Sequence, residues 1–305
     1  SDYLLDTAKE HIEGKITIDE AQKRIHSYYE QRSVRTETEN ETKEADIVSA
    51  RIAKLLGEKA FQFSPAEWLS IHRRLFEGVF GHAGQIRQYN ITKKEWVLNG
   101  DTVTYADWNS IKETLDYDFV TEKQFSYEGL SVDEAVKHLA KFASDIWQIH
   151  PFSEGNTRAT AVFMIKYMKT FGFSVNNDAF EKYSWYFRNA LVRANYNKLQ
   201  KGVHSTTKFL EMFFSNLLLD THYELKNRYM HIDYVENNSQ SINLKVPKYQ
   251  FDTLDCTLEE LAVLELVSKN PTIKQQELVE ATGKSIATIK RIMKSLQDKN
   301  YIRRE

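Results

Sequence analysis

The sequence predicts a mainly α-helical protein with one β-hairpin and a smaller helical domain near its carboxyl terminus. Two observations favour helices. Only 11 glycines and four prolines interrupt 305 residues. Apolar residues also recur at three- and four-residue spacing, the period of amphipathic helices, in YADWNSIKETLDYDFV, SVDEAVKHLAKFASDIWQI and FEKYSWYFRNALVRANYNKL. A third observation is the segment 88–107, in which this period breaks.

The sequence predicts the first residues of two helices. Ser64 followed by Pro65 and Glu67 is typical of an amino-terminal cap with proline in the first turn. Ser131 with Glu134 has the spacing of a capping box. Both precede segments with helical periodicity, so we expect helices to begin there.

Residues 88–107, QYNITKKEWVLNGDTVTYAD, predict the β-hairpin. β-forming residues flank Asn99-Gly100, the dipeptide that favours a two-residue type I′ turn. An isolated hairpin is marginal in water, so this one must pack against the helical body. It would leave a strand edge able to receive an extended peptide.

Composition excludes several classes of protein. With 41 basic and 43 acidic residues the formal charge is -2, so the chain as a whole is not an electrostatic nucleic-acid binder. The single cysteine, Cys256, rules out an internal disulfide. No apolar run approaches 18 residues and no secretory signal is recognisable, so we expect a cytoplasmic protein without a membrane span.

The chain divides into four predicted segments. Residues 1–60 form a helical region, 61–228 a helical core domain, and 229–254 a polar linker that includes VENNSQSINLKVPKYQ. Residues 255–305 contain three amphipathic helices and a β-like tail, with Gly283 at the second turn. That last pattern resembles a winged helix-turn-helix domain.

The stretch HPFSEGNTR, residues 150–158, concentrates polar chemistry between two apolar segments. Pro151 should end the preceding helix and restrict His150 to extended backbone, so that the imidazole projects from a loop. Gly155 permits a tight turn, and Asn156 or Thr157 would begin the next helix. The first-turn amides of a helix form an anion site.

These residue types suit a nucleotide-phosphate site. Arg158 can hold phosphate oxygens in bidentate fashion, and the Glu154 carboxylate can hold Mg²⁺, which proteins usually bind through one or two carboxylates plus substrate phosphates. His150 can then remove a hydroxyl proton as a general base. The alternative is a hydrogen-bonded structural histidine in a solvated turn.

The order of residues favours the functional interpretation, because HPFSEGNTR resembles the Fic signature H-P-F-x-[DE]-G-N-x-R. The segment IHRRLFEGVFGHAGQIRQYNI, residues 71–91, is similar to the Fic segment that leads into a β-hairpin flap, here with Ala83, Gly84 and Arg87. The resemblance covers about residues 40–220. It implies a helical Fic core with this flap and transfer of AMP from ATP to a protein Ser, Thr or Tyr hydroxyl.

The resemblance implies a role for each matching residue. His150 would be the general base, Phe152 a core anchor and Glu154 the Mg²⁺ ligand. The nucleotide would contact Ser153, Gly155, Asn156, Thr157, Arg158 and Tyr186. Trp96, Val97 and Leu98 would form the flap edge that docks the target peptide. Plain packing is the alternative for these three residues and for Tyr186.

The match has two departures. Ala161 stands where many family members carry a second arginine, so nucleotide orientation and identity stay open, and Thr157 replaces the commoner glycine. An inhibitory helix with the pattern [ST]-x-x-x-E-[GN] is matched in part by Ser33 and Glu37, followed by Thr38. Because Ala161 cannot accept its salt bridge, Glu37 would have to act on Arg158, and a solvated acidic helix start is the alternative.

Basic residues of the carboxyl-terminal domain predict contacts with DNA. Lys290 and Arg291 would contact phosphates, while Ser285 and Thr288 lie near a helix start where they could reach base edges. Further basic residues lie nearby at Lys284, Lys294, Arg303 and Arg304. A solvated helix face or a protein-docking module is the alternative.

The sequence therefore predicts an Mg²⁺-dependent protein adenylyltransferase that uses ATP and a protein substrate, with DNA as a further partner through residues 255–305. It leaves a homodimer open. One alternative is a DNA-binding regulator whose Fic-like core senses nucleotide and transfers weakly. Another is a Fic enzyme that uses a different nucleotide or removes AMP.

Overall fold

The computed structural model describes residues 2–30, 37–234 and 256–303. The chain divides into two compact units, residues 1–86 and residues 87–305. The described residues contain thirteen α-helices, which agrees with the predicted mainly α-helical class.

The first unit contains helices joined by turns, and no strand, in its described part. Its helices are α1 (Asp2–Ile12), α2 (Ile18–Glu30), α3 (Glu37–Gly57) and α4 (Pro65–Phe76). Helix α2 packs against α1 and α3, and α3 packs against α4. The predicted start of α4 is confirmed, since the Glu67 amide donates to Ser64 Oγ at 3.1 Å and Pro65 is the first helical residue.

Gly84 packs closely against α4. Its φ is +74°, and a Cβ there would lie 2.5 Å from Arg73 Cβ. The Gly84 amide donates to Nδ1 of the buried His72 at 2.8 Å. His72 therefore holds the turn that follows α4, and a larger residue than glycine would clash there.

The second unit is built around α6. Its helices are α5 (Ile111–Gln124), α6 (Val132–Ile149), α7 (Asn156–Thr170), α8 (Asp178–Lys182), α9 (Ser184–Ala194), α10 (Lys208–Leu219), α11 (Leu258–Lys269), α12 (Gln275–Thr282) and α13 (Ile286–Asp298). Helix α6 contacts α5, α7, α9 and α10. Most residues of α6 and α7 are buried, so the polar stretch between these two helices has a rigid support on both sides.

The predicted capping box starts α6. The Glu134 amide donates to Ser131 Oγ at 3.4 Å, and the Ser131 amide donates to Glu134 Oε2 at 2.9 Å. Both bonds satisfy amides that the first helical turn leaves without intrahelical partners. This prediction is confirmed.

The β-hairpin predicted over 88–107 is wrong as a pair of strands, because no residue of this segment forms a strand. The predicted turn does form: φ is 54° at Asn99 and 81° at Gly100, and the Asp101 amide donates to Leu98 O at 3.2 Å. The segment is an ordered loop, which we call the 88–107 loop.

Side chains explain why no strand ladder forms in the 88–107 loop. The Arg87 guanidinium binds Tyr89 O and Ala106 O at 2.7 and 2.5 Å, so these carbonyls bond a side chain instead of a partner strand. The Lys93 amide likewise donates to the Thr102 hydroxyl. At the tip, Trp96–Leu98 winds into a 3-10 helix.

Helices α11, α12 and α13 pack on one another as predicted for the carboxyl-terminal domain. Ile289, Ile292 and Leu296 of α13 are buried, and Gly283 ends α12 with φ 69°. Residues 256–303 contain no strand, so the predicted β-like tail is not formed within this range. The Tyr301 amide instead folds back to Leu296 O at 2.9 Å.

In the ranges that the structure describes, no helix has the length and apolar character needed to cross a membrane.

Candidate active site

His150 lies directly after the last residue of α6. Pro151 ends the helix there, as predicted, but the backbone of His150 is not extended. It adopts the left-handed conformation, with φ 50° and ψ 56°, and its amide donates to Trp147 O at 3.1 Å. A non-glycine residue persists in this conformation only where its surroundings hold it.

Arg87 provides that support. Its Nε donates to His150 O at 2.7 Å, and its Nη2 donates to Ile149 O at 3.3 Å. The Arg87 amide also donates to Pro151 O at 2.8 Å. With its two bonds to the 88–107 loop, the 3% exposed Arg87 ties four backbone carbonyls to one guanidinium.

The His150 ring is fixed in one orientation. It is 1% exposed and contacts the ring of Tyr105, with centroids 4.2 Å apart, and that of Trp147, with centroids 4.9 Å apart. Its Nδ1 is 3.1 Å from Trp147 O. Because a carbonyl only accepts, Nδ1 carries the hydrogen in the neutral ring and Nε2 keeps a lone pair.

The surroundings of His150 favour this neutral form. Burial is the largest effect that lowers the pKa of His150 well below its ordinary value, and the positive charge of Lys93 is the next. Arg188 and Arg87 act in the same direction. A neutral imidazole with a lone pair on Nε2 is able to act as a base.

The loop after His150 closes through Asn156. The Phe152 amide donates to Asn156 Oδ1 at 3.0 Å, and Asn156 Nδ2 donates to Phe152 O at 2.7 Å. Phe152 is completely buried, which fits an anchoring role. Gly155 allows the turn into α7 with φ 78°. Asn156 thus shapes the loop, and its side-chain polar atoms point to backbone.

The remaining predicted phosphate contacts surround the start of α7. Trp147 Nε1 donates to Thr157 Oγ1 at 3.0 Å, and Tyr89 Oη donates to Ser153 Oγ at 2.9 Å. Arg158 lies in the first helical turn and is partly exposed. The start of α7 therefore carries amides, the positive end of the helix dipole and a guanidinium.

Glu154 is the carboxylate predicted to hold Mg²⁺. It is 59% exposed, and its Oε2 lies 3.1 Å from Lys93 Nζ. The described residues contain no cluster of three or more His, Cys, Asp or Glu side chains suited to a metal. One exposed carboxylate at a helix start fits Mg²⁺, which uses few protein ligands and takes others from water and from any phosphates it accompanies.

Sequence reasoning missed several residues that the fold brings to this site. Glu95, 2% exposed, binds Arg188 Nη2 at 2.7 Å and lies 3.4 Å from Tyr105 Oη. This group positions the ring that covers His150. Arg188 and Lys93 lie far from residues 150–158 in the chain, and no local pattern in the sequence marks them as partners.

The other predicted residues lie as follows. Val97 and Leu98 are buried, which fits packing, whereas Trp96 is 49% exposed. Tyr186 is 2% exposed and donates to Phe209 O at 3.3 Å, as a core tyrosine does. Ser33 lies outside the described residues, and so does the side chain of Glu37, which begins α3.

The residues predicted to contact DNA lie at the start of α13 and on its surface. Ser285 caps the helix, accepting from the Thr288 amide at 3.1 Å, and the two hydroxyls lie 2.9 Å apart. Lys290 is exposed. Arg291, 64% exposed, lies 3.4 Å from Glu128 and 3.8 Å from Glu259.

Comparison with protein families identifies two regions. Residues 62–168 match the Fic/DOC family, and residues 260–303 match the winged helix-turn-helix DNA-binding family. The two resemblances seen in the sequence, to the Fic family and to a winged helix-turn-helix domain, are confirmed.

Individual relatives are distant. A protein of Escherichia coli (strain K12) named "Probable protein adenylyltransferase Fic" is 24% identical over 149 residues, which span 49% of this chain and 66% of that protein. Among solved structures, the BepC protein of Bartonella tribocorum with bound AMPPNP has a TM-score of 0.48 at 22% identity, covering 60% of this chain and 88% of that one. The Fic domain of Bep8 from Bartonella sp. 1-1C has a TM-score of 0.46 at 19% identity, covering 61% and 88%.

Proposed function

Because the chain carries a Fic/DOC family domain at residues 62–168, we propose that it is a protein adenylyltransferase that transfers AMP from ATP to a Ser, Thr or Tyr hydroxyl of a protein. The observation that carries the proposal is the state of His150. Its Nδ1 is committed to Trp147 O, its Nε2 keeps a lone pair, and the start of α7 lies a few residues away in the chain.

The transfer is a single displacement at phosphorus. The target hydroxyl oxygen forms a bond to the α-phosphorus of ATP while the bond from that phosphorus to the oxygen bridging to the β-phosphate breaks. The hydroxyl proton passes to His150 Nε2, and pyrophosphate leaves. A proton on the imidazole of a buried histidine is costly, so His150 does not retain it.

The phosphates would bind at the start of α7. Arg158 and the first-turn amides neutralise negative charge on the phosphates as the bond to the leaving group breaks. Bound by Glu154 and phosphate oxygens, Mg²⁺ would supply charge neutralisation for the triphosphate. The Tyr105 and Trp147 rings pack against His150 and contribute to its burial.

Labelling distinguishes this activity from its alternatives. We expect protein-bound label when the full chain and a cell lysate are incubated with Mg²⁺ and ATP labelled at the α-phosphorus, and none with ATP labelled at the γ-phosphorus. Label from the γ-position would mean phosphorylation and contradict the proposal. ATP binding without either label would favour a nucleotide-sensing regulator.

The lowered pKa of His150 predicts the pH dependence of transfer. A base acts when unprotonated, so activity is present above the pKa of the folded state and lost as pH falls through it. Since this pKa lies well below 6.5, kcat/KM should stay level from pH 8 to below pH 6.5. Initial rates in buffers of constant ionic strength measure this. A decline centred at or above pH 6.5 would contradict it.

A second proposed activity is DNA binding through α13. It is supported by the family match of residues 260–303 and by an exposed basic face that includes Lys290 and Lys294. These ammonium groups would contact backbone phosphates. The binding would serve to place the chain on DNA, independently of nucleotide chemistry at His150.

Salt dependence tests the DNA proposal on the full chain. We expect a gel shift with duplex DNA at low salt, and Lys290→Ala should lower the slope of log K against log salt by about 1. Lys269→Ala in α11 is the matched control, because that lysine is 65% exposed but lies on another helix. The absence of any shift at about 50 mM salt would refute phosphate contact of this kind.

A further inference from the structure

The first turn of α7 contains one side-chain cation, the guanidinium of Arg158. Arg158 lies in the first turn, and the residue one helical turn later, Ala161, is 7% exposed and carries no charge. A nucleoside triphosphate extends beyond the reach of one side chain. Cations that reach the site from outside α7 would add to the charge that Arg158 and a bound Mg²⁺ supply.

Three cations from other elements act on His150: Lys93, Arg188 and Arg87. Two of them are committed to buried acceptors. Arg188 binds the 2% exposed carboxylate of Glu95, and Arg87 binds backbone carbonyls. Removing either from its acceptor would leave a buried polar group unsatisfied, so neither is available to a ligand.

Lys93 differs in both its position and its partner. Its Nζ lies 3.1 Å from Oε2 of Glu154, a carboxylate that is 59% exposed and accessible to water. The Lys93 side chain is itself 21% exposed, and its amide is held by the Thr102 hydroxyl. The backbone of Lys93 is thus fixed, while its ammonium can exchange one exposed partner for another at small cost.

We propose that Lys93 is a phosphate-binding residue, which supplies from the 88–107 loop the positive charge that α7 lacks at Ala161. In the apo protein the ammonium pairs with Glu154. When a nucleoside triphosphate binds, the ammonium moves from Glu154 to oxygens of the β- or γ-phosphate. This inference rests on the proposed function for the identity of the nucleotide and assigns the residue that recognises its terminal phosphates.

Nucleotide binding, measured without turnover, tests the proposal. In the His150→Ala background with Mg²⁺, calorimetry should give a Kd for ATP that Lys93→Met raises about 10- to 100-fold, since a charge-assisted hydrogen bond is lost. The Kd for AMP, which has no β-phosphate, should change less than about threefold. Lys94→Met is the matched control, because Lys94 is exposed on the same loop, and it should leave both constants unchanged.

Two further variants separate phosphate binding from other roles. Lys93→Arg keeps the charge and should hold the ATP constant near that of the parent, whereas a lysine needed only for loop packing would not be replaced in this way. In a Glu154→Gln background, Lys93→Met should still weaken ATP binding. If it has no effect there, Lys93 only neutralises Glu154 and the proposal is overturned.

The outcomes for the two proposals are distinct. Unchanged ATP affinity in Lys93→Met, together with AMP transfer by the parent, overturns the role of Lys93 and leaves the adenylyltransferase in place. Selective loss of ATP affinity in a chain that transfers no AMP supports Lys93 and overturns the proposed reaction. An equal loss of ATP and AMP affinity also overturns the role of Lys93.

Discussion

Replacing His150 by alanine is expected to lower kcat/KM for AMP transfer by about 10²- to 10⁴-fold, the usual contribution of a positioned general base. The ring packs against Tyr105 and Trp147, and its Nδ1 bond to Trp147 O leaves Nε2 as the basic atom. Initial rates of label transfer from ATP at pH 7 and 8 measure the loss. ATP affinity should change little, because the proposed proton transfer involves the target hydroxyl.

Two variants keep this test specific. His150→Gln fills most of the space of the imidazole but has no basic nitrogen, so it should be as inactive as His150→Ala. His222→Ala changes an exposed histidine and should leave the rate unchanged. A His150→Gln protein with near-parental transfer would show that proton removal by His150 is not part of the reaction.

The second large effect is expected at Arg87. Arg87→Met removes a guanidinium that binds four backbone carbonyls around the site, and buried carbonyls left without donors cost about 1 to 3 kcal/mol each, with incomplete additivity. We expect the free energy of unfolding to fall by roughly 3 to 5 kcal/mol, because several carbonyls lose their donor at once. Urea denaturation measures it.

Arg87 also positions His150, so transfer should fall in conditions where Arg87→Met is still folded. Arg87→Lys restores the charge but cannot offer a planar set of donors to several carbonyls, so it should recover only part of the stability. Arg228→Met, at an exposed arginine of the same unit, is the control and should have little effect. Equal stabilities for Arg87→Met and the parent would contradict this role.

Local signals in the sequence predicted local structure well. The Ser64 cap, the Ser131 capping box and the Asn99-Gly100 turn all form, because each depends on residues within a few positions of one another. The His150 backbone was predicted wrongly for the opposite reason. Pro151 alone favours an extended residue before it, but bonds from Arg87, more than 60 residues away, support the left-handed conformation.

The prediction of paired strands over 88–107 was wrong for the same reason, since it considered only neighbouring residues. Its residues have β-propensity, yet strand formation depends on which groups occupy the backbone carbonyls, and Arg87 binds two of them. The pairing of Lys93 with Glu154 and of Glu95 with Arg188 could not be read from spacing. The residue types of the site, at 150–158, could be predicted from the sequence. The charged side chains that surround them could not, because the fold brings them there.

The reciprocal bonds between Phe152 and Asn156 span only five consecutive residues. The turn from Phe152 to Asn156 is therefore closed by bonds within a short peptide, whereas the His150 backbone before it depends on Arg87, more than 60 residues away. Two kinds of support meet at Pro151: a local one that closes the turn and a distant one that orients the base. Exchange of either polar atom of Asn156 would open the first, and loss of Arg87 would remove the second.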